Sequence, residues 1–255
     1  MTSPPATGYD QQSRPEGEWT KVRRKGRRAL GSSQHHVPSS KLTSTPTPRT
    51  SSLCVSDIEK EYRRIRDQWK VSTCHHQLKA LLASRTPTPP ISQAVCLGLG
   101  SFDPDNGDWE AKRRAHIQLA AFLSIVEDLR QDGGEHPVRC LFQEPLFTAA
   151  DQAFIRSLGH EVVETPAGFE AVGPRTLVFG VHLYRQVYAR AIGAHTPAVF
   201  VGTPYAVWEE FHGSGELDWA RMRELDAQCD KAIFPEDAGF TTFSSTAIHW
   251  RRDQT

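Results

Sequence analysis

The chain of 255 residues carries 30 Lys and Arg against 30 Asp and Glu, so its formal net charge is zero. That balance gives no bulk positive field pointing to nucleic acid. The apolar runs fall well short of the ~18–20 residues that cross a bilayer, which argues against a membrane partner. The opening MTSPPATGYDQQSRPEGEW has no apolar segment of the secretory kind. Five cysteines, Cys54, Cys74, Cys96, Cys140 and Cys229, stand without CxxC or similar spacing. This suits reduced, mostly buried thiols in the cytoplasm or nucleus.

Charge is unevenly spread. Residues 1–55 hold nine Lys and Arg but three Asp and Glu. Six of the eight residues from Lys21 to Arg28 are basic, preceded by Trp19. Such a run reads as a nuclear import signal, a nucleic-acid contact or a solvated tail. From Gly31 to Ser52, fourteen of twenty-two residues are Ser, Thr or Pro. A segment of this kind buries too little apolar surface to offset the entropy of ordering it. Residues 1–52 are therefore expected to be a disordered arm, with phosphorylation conceivable at Thr45-Pro46 and Thr47-Pro48.

A helical segment is expected over 53–85. Ser56 and Glu59 have capping-box spacing, and Ile58, Tyr62, Ile65 and Trp69 then recur as one apolar stripe. Leu78, Leu81 and Leu82 continue the apolar content, and Pro87, Pro89 and Pro90 end it. His75 and His76 are adjacent and so diverge by roughly 100° on a helix. No second pair has metal-ligand spacing, so no metal is expected.

From residue 91 short apolar runs alternate with helical patterns. Strands are expected at Val95–Leu97, Val138–Phe142, Glu161–Glu164, Thr176–Phe179 and Ala198–Val201. Helices are expected at Lys112–Arg130, Thr148–Leu158 and Leu183–Ile192. Trp219–Ala232 reads as helical, and Phe240–Trp250 as a last strand or edge hairpin. Continuously apolar strands separated by helices mark a parallel sheet buried on both faces. The fold class is α/β, a three-layer Rossmann-like domain with a mostly parallel sheet over 91–252.

Ligands of open α/β sheets lie beyond the carboxyl ends of the strands, near the point where strand order reverses. That rule nominates Gly98, Gly100 and Ser101 after the first strand and Glu144 after the second. His182 follows the fourth strand, and Gly202 and Thr203 the fifth. Gln118 could face the glycine turn from the following helix, whereas His116 reads as a residue of that helix's charged surface. His182 is the candidate general base, or else a hydrogen-bonded histidine at a helix start. The stretch Gly98-Leu99-Gly100-Ser101 is not a dinucleotide loop. Asp103 stands where the third glycine belongs, Asp105 and Asp108 add negative charge, and the helix begins only after Gly107. A looser nucleoside site stays open, and no cofactor is named.

With those residues in place, the chain resembles the SRR1-like family, the Sensitivity-to-Red-light-Reduced proteins. The carrying stretches are Val95–Phe102, Gln118-Leu119-Ala120, Glu144–Thr148 with Asp151, and Leu158–Val162. His182-Leu183-Tyr184 is similar to the family's Pro-His-Cys segment, and Val201–Pro204 falls at its Gly-Asn-Ser. Phe243–Trp250 resembles its Phe-Asn-Asp-Thr run, and Trp19–Val22 its upstream Trp-Thr segment. The arm has the style of a fungal extension. Val181 and Leu183 stand where the family has Pro and Cys, Glu144 where Asp is usual, and Thr203-Pro204 lacks the Asn and Ser.

The resemblance implies a regulatory protein working through protein partners, with a small-molecule ligand conceivable. It links the family to light and circadian signalling, clock gene expression and regulation of haem biosynthesis, with no reaction attached. Two alternatives stand beside it. One is a nucleotide-dependent, methyltransferase-like transferase; the other is a nucleic-acid-associated factor using the basic arm. Whether the domain is an enzyme stays open on the sequence.

Overall fold

The computed structural model describes residues 50–252 apart from residues 88, 131–136, 194, 211–218 and 237. The basic run and the expectation for the arm up to residue 49 lie outside the described residues.

Two helices come first, α1 (Val55–Lys70) and α2 (Thr73–Ala83). The cap of α1 lies two residues before the one expected. Asp57, rather than Glu59, reaches back to accept the Cys54 amide at 3.1 Å. Ser56 is therefore already inside the first turn. The stripe of Ile58, Tyr62, Ile65 and Trp69 is buried. Ser72 caps α2 by accepting the His75 amide at 3.1 Å.

There follow β1 (Gln93–Leu97), α3 (Trp109–Leu129), β2 (Arg139–Gln143), α4 (Ala149–Ser157) and β3 (Glu161–Val162). Next are α5 (Ala167–Glu170), β4 (Thr176–Gly180), α6 (Arg185–Ala191), β5 (Val199–Gly202) and α7 (Tyr205–Glu210). The chain closes with α8 (Trp219–Gln228), β6 (Cys229–Ile233), a 3-10 turn at Thr241–Phe243 and β7 (Ala247–Arg251). The helix expected to run to Ala232 ends at Gln228, because the next five residues pair with β7 as an edge strand. The expected last strand is present, but it does not lie at the edge. It inserts between β5 and β6, antiparallel to both.

The seven strands lie in the order β3-β2-β1-β4-β5-β7-β6, with β1 to β5 parallel. Side chains alternate across a strand, so each strand feeds two cores. Ala94, Cys96, Phe142 and Phe179 pack with α1, α2, α3 and α4 on one face. Val95, Leu97, Val178 and Phe200 pack with Tyr188 of α6 and Met222 and Leu225 of α8 on the other. This is the three-layer α/β fold.

The segment 53–85 is part of the first of these layers. Tyr62 lies edge-on to Phe154 of α4 at 5.6 Å, and Trp69 edge-on to Phe240 and Phe243 at 5.4 and 5.7 Å. That cover has a consequence for α3. With the sheet on one side and α1 on the other, α3 is enclosed, and His116 is 0% exposed. The expectation of a surface histidine is corrected: the charged Lys112-Arg113-Arg114 belongs to the helix start, and burial begins at Ala115.

Candidate functional site

Strand order reverses between β1 and β4, so a ligand of this fold would sit beyond their carboxyl ends. Three glycines mark the place: Gly98 after β1, Gly180 ending β4 and Gly202 ending β5. Gly180 and Gly202 pair across the sheet. Gly98 and Gly100 have φ of +67° and +84°, which only glycine adopts without strain.

The turn after β1 is closed by side chains from β2 and α4. Glu144 accepts the Gly100 amide at 2.8 Å and the Leu146 amide at 2.8 Å. Burial pushes the Glu144 carboxyl above the ordinary carboxylate range, while the two amides pull it down. Ser101 donates its hydroxyl to Asp151 at 2.6 Å. The same Asp151 oxygen accepts the Thr148 amide at 2.9 Å, and Thr148 accepts the Asp151 amide at 3.0 Å. This reciprocal cap starts α4. Asp103 in turn accepts the Ser51 hydroxyl at 2.7 Å and the Ser52 amide at 2.8 Å. The aspartate in the third-glycine position thus fastens the beginning of the described chain to the glycine turn.

Between Gly98 and Gly180 lies the side chain of Leu183. A methyl group at Gly98 would stand 2.5 Å from Leu183 Cδ2, and one at Gly180 would overlap Cδ1. Leu183 is 5% exposed and belongs to the second core. The Phe200 ring closes in the same way on Gly202, where an added methyl would come within 2.5 Å of Cε1. The glycine row at the switch point therefore accommodates the protein's own apolar side chains.

The structure brings Gly98, Gly100, Ser101 and Glu144 together around one turn. Gly202 and Thr203 end the neighbouring strand β5, where Thr203 is buried. Ala115 of α3 faces the glycine turn, 3.9 Å from where a Gly100 methyl would be. Gln118, 6% exposed, lies on that same side one turn further on.

His182 is placed differently. It has φ of +54° and its Nε2 lies 2.7 Å from the Ser244 carbonyl. A carbonyl only accepts, so Nε2 carries the proton there. The imidazole lines a cleft of about 250 Å³ with Trp109, Glu110, Arg113, Arg114, Thr241, Thr242 and Ser244. Of the residues nominated from the sequence, His182 alone lines it. Leu183, Asp151 and these cleft residues were the ones missed. Asp151 had a signal, since Thr148 and Asp151 have capping-box spacing. The cleft had none, because its two walls are more than 120 residues apart in sequence.

Bonded histidine rings elsewhere serve the backbone. His75, His76 and His249 meet the carbonyls of Lys70, Ser72 and Phe200. Among the described residues no group of three or more His, Cys, Asp or Glu is arranged to hold a metal ion. No helix among them is long and apolar enough to cross a membrane.

Comparison with known proteins gives one informative match. Among solved structures the chain is similar to cofactor-bound Rv0187 from MTB, at 15% identity over 78% of this chain and 91% of that one, with a TM-score of 0.40. It is also similar to Thermoplasma acidophilum 1320, at 10% identity over 76% and 98% of the two chains and a TM-score of 0.36. No curated protein matches significantly. The model of the SRR1 domain, by contrast, matches residues 72–250. That span takes in both walls of the switch point and most of the chain, and the protein belongs to the SRR1 domain family.

Proposed function

We propose that this chain is a regulatory SRR1-domain protein that works through protein partners in the cytoplasm or nucleus. Its role would lie in the circadian and light signalling, clock gene expression or haem-biosynthesis regulation with which the resemblance is linked. The observation that carries this reading is Leu183 lying against Gly98 and Gly180. That side chain takes up the space beside these glycines, so the glycine row seats the protein's own residue. Leu146 and Tyr184, 65% and 85% exposed on loops after β2 and β4, supply apolar contact area at the same sheet edge for a partner.

The test is a thermal-shift titration with S-adenosylmethionine and S-adenosylhomocysteine. We expect no stabilisation of the full chain, whereas a bound cofactor at a hundred times its dissociation constant would add about 2.7 kcal/mol. A saturable shift would overturn the reading. In parallel, the double variant L146D/Y184D should lose proteins that co-purify with the native chain from its own cells. Retention of the same set would count against that face.

A second reading, a methyltransferase-like transferase, is favoured by the order β3-β2-β1-β4-β5-β7-β6 with β7 reversed. That is the sheet order of adenosylmethionine-dependent methyltransferases. In that case Glu144, which accepts one amide on each oxygen, keeps lone pairs for a ligand hydroxyl. The same titration separates the two readings.

A further inference from the structure

The cleft lined by His182 has a different chemistry from the glycine turn beside it. One wall is the first turns of α3, which present Trp109, Glu110, Arg113 and Arg114. Residues three and four apart share a helix face, so Glu110, Arg113 and Arg114 address the same space. The other wall is the 3-10 turn, with Thr241, Thr242 and Ser244, and His182 closes the end.

The cations are held in different ways. Arg113 donates from Nη2 to the Gly239 carbonyl at 2.8 Å and lies 5.4 Å from the centre of the Phe240 ring. Its guanidinium is thereby fixed in place with other N–H groups left over. Arg114 makes no hydrogen bond or ion pair among the described residues. His182 has given its Nε2–H to Ser244, which leaves Nδ1 as an acceptor for a hydroxyl of the ligand. Thr241 and Ser244, both exposed, line the same cleft. The Trp109 indole, 67% exposed at the rim, offers a flat face that the core does not use. Glu110 is the one acidic group on this lining.

Two guanidinium groups and hydroxyls lining one cleft match a phosphate, which takes charge-assisted bonds from planar forks, and the free Nδ1 of His182 accepts from a phosphate hydroxyl. A rim indole adds stacking for a ring attached to that phosphate. We propose that this cleft binds a small phosphorylated ligand bearing a flat ring, with the phosphate between Arg113, Arg114 and His182 and the ring against Trp109. The inference does not depend on the regulatory reading above. S-adenosylmethionine carries no phosphate, so the two tests can fail separately.

The experiment is calorimetric titration of the full chain at low ionic strength with adenosine monophosphate, adenosine and inorganic phosphate. We expect the monophosphate to bind, inorganic phosphate to compete with it more weakly, and adenosine to give no saturable heat. R114Q changes an exposed side chain that has no partner among the described residues and should leave the melting temperature unchanged. It should weaken the monophosphate roughly tenfold or more, the effect of one charge-assisted hydrogen bond. W109A should weaken the monophosphate and leave inorganic phosphate unaffected, and E110Q should tighten both. The proposal is overturned if the monophosphate does not bind, if adenosine binds as well as it does, or if R114Q binds like the native chain.

Discussion

The carboxylate of Glu144, at the end of β2, accepts the amide of Gly100, beyond the end of β1, at 2.8 Å. One acidic side chain thus satisfies two loop amides, Gly100 and Leu146, that the sheet itself leaves open. E144A would strip the part-buried Gly100 amide of its acceptor, at a cost of about 1–3 kcal/mol. E144Q keeps one carbonyl oxygen and should lose less. Urea unfolding of the three proteins checks this, and equal midpoints for E144A and the native chain would refute it.

Leu183 and Gly98 make a pair suited to a double-mutant cycle. L183A should cost about 2–5 kcal/mol, as burial loss and cavity add. G98A introduces a methyl group that meets Leu183 and also forces a left-handed φ on alanine. In G98A/L183A the steric half is relieved and the backbone half is not. The double variant should therefore be more stable than the sum of the single losses predicts. Simple additivity in equilibrium unfolding would show that Leu183 does not occupy the glycine row.

His116 ties stability to pH. It is fully buried, neither ring nitrogen has a hydrogen-bond partner among the described residues, and burial pushes its pKa down to about 4. The unfolded chain binds the proton more readily, near pH 6.5. The stabilising effect of keeping the ring neutral is thus present above that value and is lost as pH falls towards 4. His249, likewise lowered to about 4 by burial, adds a loss in the same window. Each accounts for roughly 3 kcal/mol. H116L should flatten the decline between pH 6.5 and 4 and leave the slope above pH 7 unchanged. Melting curves across that range are the measurement, and an unchanged slope below pH 6.5 would contradict it.

Ser101 is the hydroxyl that binds the glycine turn to α4. S101A leaves the buried Asp151 carboxylate with the Thr148 amide as its one remaining bond described above. The expected loss is about 1.5–3 kcal/mol, the range for hydrogen bonds to a charged group. Amide exchange should speed up at the glycine turn and in the first turn of α4 together. Faster exchange at the glycine turn alone would separate the two elements.

The alternation of short apolar runs with helices made the α/β class legible, because a strand buried on both faces has nothing polar to show. Strand order was not legible, since it depends on which buried faces meet. Cys229–Ile233 was hidden for a local reason. As an edge strand it carries Asp230 and Lys231 on open positions, and such a run resembles a helix end. The glycine turn and Glu144 were readable from their places after strands. Leu183 was not, because its role lies in the direction taken by a turn at a left-handed His182. The polar cleft needed Arg113 and Ser244, far apart in the chain, to meet.

The docking of α1 also fixes where the protein can be cut. The family match begins at residue 72, after α1 has ended. A fragment started there would strip Tyr62 from Phe154 and His116, turning the inner wall of α3 and α4 into an open apolar trough. Such a fragment would associate with itself or misfold, while one started at Leu53 keeps the wall covered. The covered wall therefore extends further at its amino end than the residues matched by the family model, and α1 is an integral wall of the domain.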